Sequence, residues 1–189
     1  MKKLIYTLAF LATSFKVMAH PHIWVYTDLA LKTEGQYITG LNINWSFDEM
    51  YSSAFMMDAD LNKDGKLDPS ESEAMQKQVM EKAVSSITPF IMLKFEGKDT
   101  FGYKLDNLKI KYDEESEQVV YNFDLKLHAP RKLEGFHKLA IVDKEFYVAF
   151  EQSYDFKIPK SCQFDLIEDQ EITIYDGLVN PEVYQLSCK

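Results

Sequence analysis

Residues 60–71 read DLNKDGKLDPSE, and the predicted elements of the chain lie on either side of this stretch. Oxygen-bearing side chains occupy its first, third and fifth positions, a glycine follows at the sixth, and a glutamate closes it at the twelfth. A glycine permits the sharp bend that turns such oxygens toward one hard cation. The stretch therefore predicts a cation-binding loop.

The spacing is that of D-x-[DN]-x-[DN]-G-x5-E, the Ca²⁺ loop of an EF-hand. The expected ligands are side chains at loop positions 1, 3, 5, 9 and 12 and one backbone carbonyl at position 7. These are Asp60, Asn62, Asp64, Asp68 (through a water), Glu71 (with both oxygens) and the carbonyl of Lys66. Residues 68–71, DPSE, are also typical of a helix N-cap with a capping box, and the two interpretations are compatible. No second loop of this pattern occurs in the sequence, which favours a weak extracellular site over a paired sensor.

The first nineteen residues predict a signal peptide. Two lysines precede an apolar run at 4–15, and residues 17–19 offer a cleavage site after Ala19. The run is too short to span a bilayer, and no later stretch is long and apolar enough to do so. We expect a single periplasmic or secreted domain over residues 20–189. The net charge of −9 becomes more negative when the leader lysines are removed, which disfavours nucleic acid and anionic membranes as partners and favours cations.

Cleavage after Ala19 would expose His20, Pro21 and His22 as the mature N-terminus. The α-amine and imidazole of His20 can chelate one metal ion, and His22 can add a third nitrogen, a donor set that suits Zn²⁺, Ni²⁺ or Cu²⁺. Pro21 has no amide proton to lose, which excludes the square-planar site that needs a deprotonated amide there. The alternative is that both histidines are simply solvated or packed.

Residues 22–31 and 38–48 alternate between apolar and polar side chains and predict a β-hairpin. Matching the two apolar faces requires the numbers of paired residues to sum to an even value, and a three-residue loop at 34–36 makes that sum 70. His22 then faces Asp48. The hairpin thereby predicts a transition-metal site of His20, His22 and Asp48.

Periodicity indicates the remaining elements. Positions 47, 50, 51, 54 and 55 predict an amphipathic helix that enters the loop, and residues 69–87 predict the helix that leaves it. Strands are predicted at 90–95, 103–112, 119–128, 137–142, 146–154 and 171–175. The expected fold class is α+β: a mostly antiparallel β-sheet with an N-terminal hairpin followed by helix, calcium loop and helix. The two cysteines of an exported chain, Cys162 and Cys188, predict one disulfide bond that ties down the C-terminus.

Four segments carry a resemblance to a known family: HPHI at 20–23, NINWSFD at 42–48, DADLNKDGKLDPSE at 58–71 and DKEFYVAF at 143–150. With them the chain resembles the bacterial family called domain of unknown function 1007 over essentially its whole mature length. The resemblance implies a periplasmic component of a transport system, beside an inner-membrane permease for divalent metal ions.

These observations predict an exported calcium-binding accessory protein, not an enzyme, that handles divalent metal ions for a membrane transporter. No common hydrolase, metalloprotease or nucleotide-binding motif occurs in the sequence. The alternative is a calcium-stabilised interaction module without a transition-metal role. A copper-dependent oxidative enzyme shares the N-terminal histidine but has no support from the predicted fold.

Overall fold

The computed structural model describes residues 21–99 and 102–189, apart from the side chains of residues 83, 84 and 99. The predicted signal peptide and His20 lie outside these residues. Ten strands are described: β1 Ile23–Glu34, β2 Tyr37–Phe47, β3 Ile91–Phe95, β4 Lys98–Asp99, β5 Tyr103–Asp113, β6 Gln118–Lys132, β7 Gly135–Ile141, β8 Val148–Gln152, β9 Cys162–Glu168 and β10 Glu182–Cys188. The helices are α1 Glu49–Ala59, α2 Pro69–Ser86 and a 3₁₀ turn at Thr88–Phe90.

The described strands form two five-stranded sheets. The first has the order β5-β6-β2-β1-β8, and the second has the order β4-β3-β7-β10-β9. The ladders are antiparallel except for β1 and β8, which run parallel. Strands take up 51% of the structure and helices 18%.

The predicted α+β class is therefore wrong, because the protein is mostly β and has two sheets. The prediction of the fold class failed in the C-terminal stretch. A strand was predicted at 171–175, where the structure has only an isolated bridge between Ile174 and Val179. The strands that complete the second sheet are β9 and β10, to either side of that segment. Their alternation is weak, since β9 is exposed or half-buried along most of its length, so periodicity did not reveal it.

One apolar cluster joins the inner faces of both sheets. The first sheet contributes side chains such as Val25 and Ile43, and the second contributes Leu139 and Leu186, all fully buried. Trp45 lies at the centre of an aromatic group in this cluster, with ring centroids 5.0 Å from Phe123, 5.2 Å from Phe150, 6.3 Å from Phe90 and 6.5 Å from Phe47. Both helices pack against this cluster, and none of the described helices is long and apolar enough to cross a membrane.

The register predicted for the hairpin is wrong by two residues. Val25 pairs with Phe47 and Leu31 pairs with Leu41, so the apolar faces do match. Residues 35 and 36 form the turn, and the register shifts between Lys32 and Thr33. Two features cause the error. The turn is one residue shorter than predicted, and an extra residue in β2 shifts the pairing by one more, which restores the matching of the apolar faces.

Helix α1 buries only part of the predicted face: Phe47 and Phe55 are buried, and Tyr51 packs against the core cluster. Its buried residues are Ser52, Phe55 and Ala59, whereas Met50, predicted to point inward, is 65% exposed. Asp48 is the N-cap of this helix, and its side chain accepts the Tyr51 N–H. Helix α2 spans the predicted range within one residue.

Candidate functional site

The loop of residues 60–71 lies between the two helices. Asp60 is the C-cap of α1, and α2 begins at Pro69. The backbone takes positive φ values at Lys63 (62°) and Gly65 (79°). Glycine adopts such a conformation without the penalty that a β-carbon brings. The sharp bend therefore falls at the sixth loop position, where the Ca²⁺ pattern needs it.

The side chains at loop positions 1 and 3 converge on the same backbone amide. Asp60 Oδ1 and Asn62 Oδ1 both accept a hydrogen bond from the Asp64 N–H, at 3.1 and 2.9 Å. Asp60 Oδ2 accepts from the Gly65 N–H at 2.8 Å, and Asp64 Oδ1 accepts from the Lys66 N–H at 2.9 Å. These bonds hold the predicted ligands at loop positions 1, 3 and 5 against the backbone of the loop itself.

Glu71, at loop position 12, is 5% exposed and reaches back across the loop. Its Oε1 accepts hydrogen bonds from the N–H groups of Leu61 (2.8 Å) and Asn62 (3.2 Å), and its Oε2 accepts from the N–H of Asp68 (3.1 Å). Neutral N–H groups solvate a buried carboxylate but do not neutralise its charge. A cation bound beside Glu71 would do so.

Asp68 caps α2. Its Oδ1 accepts hydrogen bonds from the Glu71 N–H (2.9 Å), the Ser70 N–H (2.8 Å) and the Ser70 hydroxyl (2.7 Å). The Glu71 N–H, followed by the Ser70 hydroxyl, holds the pKa of Asp68 below its usual range. The bond from the Asp68 N–H to Glu71 completes a capping box. The helix-start interpretation of DPSE therefore holds, and it uses one oxygen of Asp68.

The two helices are attached to the first sheet by the hydroxyls of the buried Ser52 and the half-buried Ser72, which the sequence analysis did not single out. Ser52 Oγ accepts the Val119 N–H at 2.9 Å, and the Ser72 hydroxyl donates to the Ile110 carbonyl at 2.6 Å. A small polar residue on an otherwise apolar helix face is the signal that could have indicated Ser52. Lys66 adds an exposed ion pair with Glu114 at 3.1 Å, which contributes little.

The donor set of the loop is all oxygen, which fits Ca²⁺ better than a transition metal. Within residues 21–99 and 102–189, no three His, Cys, Asp or Glu side chains are close enough together to hold a metal ion. The predicted site also uses the Asn62 amide, the Lys66 carbonyl and a water. A bound Ca²⁺ would still have to draw Asp60, Asp64 and Glu71 closer to one another than they lie in this structure.

The predicted pairing of His22 with Asp48 is wrong. The Asp48 N–H donates to the Trp24 carbonyl at 2.9 Å, so Asp48 lies opposite Trp24. The Asp48 carboxylate accepts hydrogen bonds from the N–H groups of Trp24 (2.6 Å) and Tyr51 (2.9 Å). The His22 N–H donates to the Tyr147 carbonyl at 2.8 Å, and the two rings lie 4.8 Å apart. Asp48 thus caps α1, and His20 lies outside the described residues.

The predicted disulfide between Cys162 and Cys188 is present. The two cysteines are cross-strand partners on β9 and β10. The Lys189 N–H also donates to the Ser161 carbonyl at 3.0 Å. The bond therefore ties residues 188 and 189 to the second sheet, and a disulfide is compatible with an extracellular or periplasmic location.

Comparison with known proteins gives a family and a distant relative. Residues 5–177 match the family model described as "Protein of unknown function (DUF1007)". The chain is 28% identical over 180 residues to an uncharacterized protein of Haemophilus influenzae, a match that covers 86% of this chain and 81% of that relative. No solved structure matches the chain. Since the family model covers most of its length, the chain belongs to the DUF1007 family.

Proposed function

We propose that this is an exported Ca²⁺-binding protein whose EF-hand-like loop fastens the end of α1 to the start of α2 when the ion is bound. The observation that carries the proposal is the position of Glu71. Its buried carboxylate lies over the first three residues of the loop, bonded to the N–H groups of Leu61 and Asn62. An ion held between the start of the loop and Glu71 would join the end of one helix to the start of the next.

The negative net charge of the chain favours a bound cation. The single loop supports a calcium-stabilised domain more than a sensor. A sensor needs an apolar groove that opens when paired loops bind Ca²⁺, and one loop of this pattern is present in the sequence. Ser52 and Ser72 already hold both helices against the sheet. Ca²⁺ would therefore stabilise an arrangement that exists without it.

The family resemblance suggests work beside a divalent-metal transporter in the periplasm. Handling of Zn²⁺, Ni²⁺ or Cu²⁺ is the further proposal, and it rests on His20 and His22 at the predicted mature N-terminus. The position of Asp48 favours the alternative, a calcium-stabilised interaction module, because its carboxylate caps α1.

Scanning calorimetry of the mature protein with Ca²⁺ and with EDTA tests the calcium proposal. Ca²⁺ should raise the melting temperature, because it binds the folded state and not the unfolded chain. Glu71→Gln should abolish most of this rise, since an amide offers one acceptor oxygen in place of two. The readout is the difference between Ca²⁺ and EDTA, because Glu71→Gln also breaks hydrogen bonds that stabilise the loop without the ion.

The matched control is Glu73→Gln, an exposed glutamate two residues further along α2. It should keep the full Ca²⁺ response. A melting temperature that does not respond to millimolar Ca²⁺, or an equal response from both variants, would refute the calcium proposal.

Zn²⁺ titration of the protein that begins at His20 separates the accessory from the interaction module. The Zn²⁺ affinity of an N-terminal site should fall as pH falls through the imidazole range, at about 6.5. It should also fall when an extra residue blocks the α-amine. If the double variant His20→Ala with His22→Ala binds Zn²⁺ as well as the wild type, the interaction module is the correct function.

A further inference from the structure

Helix α1 and the residue pair that follows it carry a row of exposed apolar side chains. We call this row the outer stripe, and it consists of Met50, Ala54, Met57 and Leu61. Met50 is 65% exposed, Met57 is 85% exposed and Leu61 is 77% exposed. Ala54 is exposed as well. Single exposed apolar residues are normal on a protein surface, whereas a contiguous group of them marks an interaction site.

The spacing of the outer stripe places its members on one side of the helix. Successive residues of an α-helix are rotated by about 100°, so Ala54 and Met57 lie within about 40° of Met50 around the axis. Leu61 follows Met57 by four residues and continues the stripe just beyond the end of α1. The exposed side chains therefore lie in one row along the helix.

The opposite side of α1 is the side that the protein buries. Its buried residues are Ser52, Phe55 and Ala59, which lie about 140–200° from Met50 around the axis. Phe55 and Ala59 belong to the core cluster. A helix with apolar residues all round is expected to be buried all round. The core covers one side of α1, and the outer stripe is the side that remains for a partner.

The charged residues of α1 and of its two caps are all acidic. Residues 48–62 include no lysine, arginine or histidine and four acidic residues: Asp48, Glu49, Asp58 and Asp60. Glu49 lies about 100° from Met50 on one side and Asp58 lies about 80° from it on the other, so the two exposed carboxylates flank the outer stripe. These charges repel an anionic membrane and attract a cationic partner.

A second copy of the chain does not fit the outer stripe. If two α1 helices pair antiparallel with Met50 opposite Met57, then Glu49 lies opposite Asp58, because each carboxylate is one residue beyond its methionine. If they pair parallel, each carboxylate lies opposite its own counterpart. Like charges that face each other across an interface oppose association. The charge of the border therefore favours a different protein with basic residues.

We propose that the outer stripe binds an amphipathic helix of another protein, which has apolar side chains on one face and lysine or arginine beside them. The apolar side chains of that helix pack against Met50 and Met57, and its basic side chains pair with Glu49 and Asp58. Methionine suits such a surface because its flexible thioether adapts to the side chains that it meets. The site lies on the outer side of α1 and does not depend on Ca²⁺ binding.

The test is fluorescence anisotropy of a labelled amphipathic peptide of leucine and lysine, two heptads long, titrated with the mature protein at constant Ca²⁺. Saturable binding is expected. The double variant Met50→Ser with Met57→Ser should bind at least about tenfold more weakly, because two apolar contacts are lost. Leu178→Ser is the matched control, since Leu178 is 66% exposed and lies outside α1. It should bind the peptide as the wild type does.

Reversing the charges tests the acidic border. The double variant Glu49→Lys with Asp58→Lys should lose affinity for the leucine–lysine peptide and gain affinity for a matched peptide of leucine and glutamate, which the wild type should not bind. Thermal unfolding shows whether each variant is folded. If the charge variant is not folded, the methionine variant decides.

The proposal is overturned by the absence of saturable binding up to about 100 µM protein, by wild-type affinity in the methionine variant, or by an equal loss in Leu178→Ser. Sedimentation of the protein alone should show a monomer. A dimer that the methionine substitutions dissociate would assign the outer stripe to a second copy instead. Vesicles of phosphatidylglycerol should not bind, and vesicle binding that is lost in the methionine variant would assign the stripe to a membrane.

Discussion

Replacing Asp48 by alanine should lower the free energy of unfolding by about 2 kcal/mol. Its Oδ1 accepts the Tyr51 N–H at 2.9 Å in the first turn of α1, and an N-cap of this kind contributes about 1 kcal/mol. Its Oδ2 accepts the Trp24 N–H at 2.6 Å, and a hydrogen bond to a carboxylate at this partly exposed position contributes about 1 kcal/mol more. For a chain of this length the melting temperature should fall by about 4–8 °C.

Urea denaturation followed by circular dichroism measures this loss. Asp58→Ala, an exposed position on the same helix, is the control and should change stability by less than about 0.5 kcal/mol. Asp48→Asn should lose about half as much as Asp48→Ala, because an amide keeps one acceptor oxygen for the cap. Equal losses in Asp48→Ala and Asp58→Ala would refute the capping role. A tenfold loss of Zn²⁺ affinity in Asp48→Asn would instead restore the metal role predicted from the sequence.

Thr27→Val should raise the free energy of unfolding by about 1 kcal/mol, because the Thr27 hydroxyl is buried without a hydrogen-bond partner; a lower urea midpoint would contradict this. Lys138→Met should destabilise the protein by about 2 kcal/mol at pH 7, because the ammonium lies 2.7 Å from the buried carboxylate of Asp169. Burial raises the pKa of Asp169, but the Lys138 ammonium together with the N–H groups of Glu171 and Ile172 outweighs burial, and the net pKa is lowered. The stabilisation is therefore complete above the unfolded carboxyl pKa of about 3.9 and is lost as pH falls through the lower folded pKa. Unfolding curves of the two proteins should differ most near neutral pH and converge in strong acid, whereas the exposed variant Lys104→Met should match the wild type throughout. Reduction of the disulfide, which spans 26 residues, should cost about 3.5 kcal/mol, and a melting temperature unchanged by dithiothreitol would contradict that.

The hairpin shows what the periodicity of the sequence can predict and what it cannot. Alternation in β1 and β2 predicted which residues face the core, and Val25, Leu29, Ile43 and Trp45 are buried as expected. It could not predict the register, because adding two residues to the offset leaves every side chain on the same face. The turn at 35–36 and the irregularity after Lys32 decide between such registers. The predicted partner of His22 depended on that choice.

The candidate calcium loop was predictable because its logic is local. Asp60, Gly65, Asp68 and Glu71 lie within twelve residues; Gly65 permits the bend, and Asp68 with Glu71 caps α2. A cavity beside β8, lined by residues of β1, β8 and β10, was not predictable. Trp24, Gln152 and Glu182 are far apart in sequence, and each resembles an ordinary strand residue until the strands are placed together.

By itself the sequence determined the turn chemistry of residues 60–71, the start of α2 at Pro69, the buried faces of the long strands and the pairing of the two cysteines. These features depend on residues a few positions apart, or on there being only two cysteines to pair. Only the tertiary structure decided that the strands divide into two sheets, that β8 lies parallel to β1, and that Asp48 caps a helix rather than facing His22. Such choices depend on which distant strand edges meet when one apolar core closes, and no local periodicity encodes that.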